Sequence, residues 1–206
     1  MTQDEQMLIV LQALRMKGQA VPEALAQSLG IAGRDVMHVL QSARSRGWVT
    51  ESKQNFRMTG AGREELRERL EVERAALDHD ALRLIYEEFH SINPDFKRLV
   101  TDWQIRGAAP NAHDDGAYDA AIIQRLGTIE SRLAPLLASL ISLVPRLSHY
   151  PRRFDHALQR VVGGEHRWLA RPNMDSYHTV WFELHEDLIG LLGLTREAEA
   201  ARGRAE

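Results

Sequence analysis

Between Gly33 and Arg46 two sets of residues interleave. Val36, Val39, Leu40 and Ala43 fall at the i, i+3, i+4, i+7 spacing of one buried helical face, while Arg34, Asp35, His38, Gln41, Ser42 and Arg44 fall opposite. An apolar side would seat such a helix, and its other side would offer guanidinium, imidazole, carboxamide and hydroxyl groups. Those groups pair with base edges and phosphates in a duplex major groove. Arg34, His38 and Gln41 are therefore the candidate base readers, with Ser42 beside them. Arg44 and Arg46, nearer the helix end, suit phosphate contacts.

A second candidate cluster lies in DSYHTVWFELHEDLIG, Asp175 to Gly190. In a helix His178, Trp181, Phe182 and His185 share a face, and Glu183, Glu186 and Asp187 lie on another side. Two readings stand side by side: an aromatic pocket, joined by Trp103, in which imidazoles fix a polar or anionic ligand, or a packed face with satisfied polar ends. A metal site would need His178, His185 and a carboxylate such as Asp114 or Asp119. Histidines seven residues apart sit two turns from one another, so no metal is expected. Arg152, Arg153 and Arg171 are read as surface arginines able to meet a carboxylate or phosphate.

The first cluster needs a framework, and the neighbouring sequence supplies one. Met7, Val10, Leu11 and Leu14 give a first amphipathic helix; Pro22 opens a second and Gly30 closes it. Gly47 can end the helix that begins near Gly33 in a left-handed turn. Trp48-Val49-Thr50 and Phe56-Arg57-Met58 then read as strands about the polar turn Ser52 to Asn55, which places Lys53 and Arg57 on a projecting hairpin. From Ile31 to Arg63 there are six basic residues and two acidic ones, although the whole chain carries a net charge of −3. Positive charge is thus gathered where phosphates would lie.

Helix, turn, helix, hairpin and Thr59-Gly60-Ala61-Gly62-Arg63, in that order over roughly residues 4 to 75, resemble the winged helix-turn-helix superfamily of bacterial transcription regulators, especially the MarR-like type. The resemblance implies double-stranded DNA as partner and a homodimer matched to a two-fold site. A small-molecule effector is expected from the aromatic and histidine face at Tyr177 to His185 alone. The segments FKRLVTDWQ, NAHDDGAYD and DSYHTVWFELHEDL loosely resemble a helical module of proteins related to phosphoenolpyruvate-utilising dikinases. The alternative function is accordingly an accessory protein whose winged helix contacts a protein, in such a phosphotransfer system.

The expected fold is mainly α: a winged helix-turn-helix with a β-hairpin wing over 1–62, a charged connector helix over 63–80, and an all-α helical bundle over 81–206 that senses a ligand or dimerises. Within the bundle, helices are expected at 80–92, 94–106, 117–147, 151–163 and 175–192, with a short tail helix after Thr195. Asn93-Pro94 reads as a cap and first position, Pro135 as a kink or break, and Gly107 to Gly116 as a flexible link.

Composition narrows the rest. The 206 residues are 44% hydrophobic and 27% charged, the balance of a globular chain. The absence of cysteine removes disulfides and thiolate chemistry and fits a cytoplasmic setting. The longest apolar run, Leu133 to Val144, is short for a membrane span, and the acidic and amidic N-terminus is unlike a secretory signal. No glycine-rich nucleotide loop or Gly-x-Ser-x-Gly is present, so neither an enzyme nor a cofactor is expected.

Overall fold

The computed structural model describes residues 2–195 and Glu199. The tail helix expected after Thr195 lies outside the described residues, apart from Glu199. The chain divides into two compact units, Met1–Leu77 and Asp78–Glu206.

In the first unit, α1 (Gln3–Lys17) starts at a reciprocal cap: Glu5 N–H donates to Thr2 Oγ1 (3.2 Å) and Thr2 N–H to Glu5 Oε2 (2.7 Å). β1 (Gln19–Ala20) leads to α2 (Pro22–Leu29), which carries proline in its first turn and ends at a left-handed Gly30. α3 (Gly33–Ser45) follows, then β2 (Val49–Ser52), β3 (Asn55–Met58) and α4 (Gly60–Ala75). Leu11, Leu14, Leu25, Val36, Leu40, Phe56 and Leu66 close one core from all these helices and the hairpin. The sheet has the order β1-β3-β2, antiparallel throughout. Its β1 strand, with Gln19 opposite Arg57, was not foreseen from two residues without β-branching. The segment expected as a connector starts within α4, which packs on α1 and buries Leu66.

The β2–β3 turn places both central residues at positive φ, Lys53 at 48° and Gln54 at 65°. This type I′ geometry matches strand twist but disfavours side chains with a Cβ. Gln54→Gly is expected to stabilise the unit by about 0.5–1 kcal/mol, read as a rise in urea midpoint; a fall would contradict the assigned turn.

The second unit is built on α5 (His79–Gln104) and α6 (Gly116–Leu143). They run antiparallel, since Arg125 reaches Asp102 (2.6 Å) while Arg132 reaches Asp95 (2.7 Å). α5 is one helix, not two: Pro94 sits inside it, and Asn93, expected as a cap, instead accepts from Trp181 Nε1 (2.8 Å). Burial of Phe89, Ile92, Phe96 and Leu99 on one continuous face outweighs the missing proline hydrogen bond. α6 likewise passes unbroken through Pro135. By length and composition α6 could cross a membrane; Ile122, Leu126, Ile129, Leu133 and Leu140 bury one stripe of it while Arg125 and Arg132 stay outside, the pattern of an amphipathic helix packed along one side.

Between them β4 (Ile105–Arg106) and β5 (Ala109–Pro110) pair as a small hairpin that the sequence did not announce. The segment expected as a flexible link is anchored: Asn111 Nδ2 donates to the Trp103 carbonyl (3.1 Å) and Asp119 Oδ1 (3.2 Å), and His113 Nδ1 lies 2.9 Å from Asp119 Oδ2. After a short 3-10 turn (Pro145–Leu147), α7 (Tyr150–Val162), α8 (Arg167–Ala170) and α9 (Tyr177–Leu191) complete the unit.

Candidate nucleic-acid interface

α3 is oriented by its own pattern. Val36, Leu40 and Ala43 have no solvent exposure and Val39 has 2%. At 100° per residue this fixes the opposite stripe as Arg34, His38, Gln41 and Ser45, all exposed. Ser45, whose hydroxyl donates to the Ser42 carbonyl (2.8 Å), was not singled out from the sequence, although it lies one turn beyond Gln41. Ser42 is on the flank and partly buried. α3 begins at Ala32 with no side-chain cap. Its first N–H groups are therefore open to an anion.

Arg44 and Arg46 leave the stripe. Arg44 forms an ion pair with Glu51 of β2, and the Arg46 guanidinium lies 4.8 Å from the Trp48 ring centroid. Both stay exposed at the joint between helix and hairpin. Lys53 projects at the hairpin tip. Arg57, in mid-strand, donates to Gln19 Oε1 (3.2 Å) and so leans toward β1. The structure thus gathers Arg34, His38 and Gln41 on one surface and distributes Arg44, Arg46, Lys53 and Arg57 around the hairpin.

The Thr59-x-x-Gly62 step locks that hairpin to the helices. Thr59 Oγ1 accepts from Gly62 N–H (3.0 Å) and donates to the Gly47 carbonyl (2.7 Å). Gly62 lies so close to the Trp48 backbone that a Cβ there would be 2.8 Å from the Trp48 carbonyl carbon and nearer still to its oxygen. The motif holds the end of α3, the start of β2 and the start of α4 in one hydrogen-bonded corner.

A comparison with protein families agrees with this order of helices, hairpin and corner. Residues 8–86 match a family described as wHTH-PRTase associated, a winged helix-turn-helix associated with phosphoribosyltransferases. The first unit is a winged helix-turn-helix. The match carries neither the MarR-like subtype nor the dikinase link that the sequence suggested. No curated protein and no solved structure matches the chain.

The residues considered for a ligand pocket lie in the second unit. Trp181 (3% exposed) stacks on Phe96 with centroids 4.2 Å apart and meets Phe89 at 4.9 Å; His185 meets Phe89 at 5.2 Å. His178 borders Phe96 at 6.0 Å, and Phe182 turns to the surface. Trp103 is not with them. It stands about 10 Å farther along α5 than Phe96 and packs with His113 (4.3 Å) and His166 (5.3 Å). Trp181 and His185 fill the seam between α5 and α9, while Trp103 anchors the loop before α6. No group of three or more His, Asp or Glu able to hold a metal occurs among the described residues.

Of the three arginines expected at the surface, Arg152 and Arg171 are exposed. Arg153 is not a surface residue: it is 4% exposed, and its Nε and Nη2 donate to Asp175 (3.0 Å) and Glu183 (2.6 Å). Beside it Asp187 accepts from Arg146 (3.0 Å) and from the Tyr150 hydroxyl (2.6 Å). α9 is buried on nearly all sides, so its acids enter the core and must be paired there. Burial, then the charges of Asp187 and Glu183, push the Tyr150 hydroxyl far above its ordinary pKa and keep it a donor.

Burial, followed by the Arg153 charge, lowers His149 to about 4. Unfolding returns this ring to an ordinary imidazole. Between pH 6.5 and 4 the unfolded chain therefore binds the proton the folded one refuses, and stability falls as pH falls. The expected loss is about 2 kcal/mol, trimmed by partial access to water, and is read as a falling Tm that His149→Gln flattens. An unchanged slope in the variant would contradict this.

Proposed function

We propose that this chain is a cytoplasmic transcription regulator that binds duplex DNA as a homodimer, with α3 in the major groove and the β2–β3 wing on the adjoining backbone. The observation that carries the reading is the alignment of Arg34, His38, Gln41 and Ser45 on the exposed stripe of a helix whose other face is locked in the core. The uncapped start of α3 and the surplus of basic residues from Ile31 to Arg63 support it. A single module of this size gives modest affinity, and a two-fold protein on a palindromic site doubles its contacts. The family's description supports a phosphoribosyltransferase as the enzyme whose expression or work such a regulator serves. If an effector acts on the second unit, it does so by favouring one arrangement of the dimer over another. Trp181 and His185, being core residues, are not the walls of its site in this conformation.

Arg44 and Gln41 separate affinity from specificity. Arg44→Ala is expected to weaken all duplexes alike and to reduce the salt slope by about one; Gln41→Ala is expected to relax preference at one base position, worth about 1–3 kcal/mol there. Binding titrations over a salt series check both. Loss of neither affinity nor preference would remove α3 from the interface.

A further inference from the structure

A cavity of about 470 Å³ opens in the first unit where the end of α1 meets β1, β3 and the start of α4, and Arg15, Lys17, Gln19, Arg57 and Arg63 line it. Four of these are cations, and no carboxylate is among the lining residues. Three have only uncharged partners: Arg15 Nε donates to Gln12 Oε1 (3.1 Å), Arg57 Nη2 to Gln19 Oε1 (3.2 Å) and Arg63 Nη1 to the Met58 carbonyl (3.4 Å). Several exposed arginines elsewhere are paired with acids, as Arg67 is with Glu71, Arg106 with Asp115 and Arg125 with Asp102. The C-terminal dipole of α1 accounts for cations at Arg15 and Lys17. It does not account for Arg57 and Arg63, which arrive from β3 and α4 and converge on the same space.

We propose that this cavity binds a small molecule bearing two or more phosphates. Guanidinium forks suit phosphate oxygens, and the three arginines with only uncharged partners exceed what a single phosphate needs. The volume is that of a small-ligand site. The proposal stands whether or not α3 reads DNA.

The test is calorimetric titration of the full chain with inorganic pyrophosphate and with orthophosphate at fixed ionic strength, for the unaltered protein and for R15Q and R15Q/R63Q. Neither residue belongs to α3 or to the wing strands. We expect saturable binding of one pyrophosphate per chain, tighter than orthophosphate, with affinity falling about tenfold for each charged hydrogen bond lost. The single variant guards against misfolding of the double one, and circular dichroism of each must match the unaltered protein. Absence of saturable binding, or equal affinity in R15Q/R63Q, overturns the proposal. So does a third result, in which the variants weaken duplex DNA binding while pyrophosphate never binds: the arginines then serve the DNA backbone.

Discussion

Gly62→Ala is expected to destabilise the first unit by about 3 kcal/mol, because the added methyl group meets the Trp48 backbone carbonyl and not a side chain that can swing aside. Relief requires moving either the start of α4 or the end of α3, and both are tied to Thr59 through its bonds to Gly62 N–H and the Gly47 carbonyl. Hydrogen exchange at the amides of α1 and α3 reads this unit alone. Protection there is expected to fall by about two orders of magnitude, with DNA affinity dropping in step as the wing loses its fixed position. Unchanged protection would mean that the corner is not the joint described. Gly60, beside which a Cβ meets nothing within 4 Å, is the control that tolerates alanine.

Arg153→Met is the largest effect expected in the second unit. The guanidinium, 3% exposed in its side chain, neutralises Glu183, whose side chain is 7% exposed, and Asp175 at the start of α9. Removing it leaves Glu183 in a core that cannot solvate it and takes a partner from Asp175, which is 22% exposed, at a cost of about 3–5 kcal/mol. Urea unfolding of the second unit, followed through the buried Trp181 and Trp103, measures the loss. Replacing Arg153, Glu183 and Asp175 together by apolar residues is expected to recover most of it, since the penalty lies in the unpaired charges. A single variant as stable as the parent would contradict the burial of this network.

What could be read from the sequence was whatever short-range rules control. The α3 face followed from the spacing of Val36, Val39, Leu40 and Ala43, and Gly30 and Gly47 occupy the left-handed positions their places implied. The role of Thr59 and Gly62 was visible as a motif but not as a mechanism, because the close approach of Trp48 depends on how α4 returns across the hairpin. Long-range effects were hidden. Asn93-Pro94 has the local signature of a helix start, and only the continuous apolar face of α5, with the Trp181 hydrogen bond, overrides it. Arg153 looked like a surface residue because nothing local shows that Asp175 and Glu183, more than twenty positions away, meet it in the core. Trp103 and Trp181 seem alike by residue type, yet Trp181 packs at the middle of α5 and Trp103 holds its C-terminal end.

The winged helix of the first unit is common ground for DNA readers and for protein-contact modules, and the two part at what the exposed stripe of α3 meets. Selection of the full chain against random duplex DNA at two salt concentrations separates them. Enrichment of a palindromic sequence, with affinity falling steeply as salt rises, is the predicted result. No enrichment, with no binding at the lower salt, would contradict it and assign α3 and the wing to a protein partner.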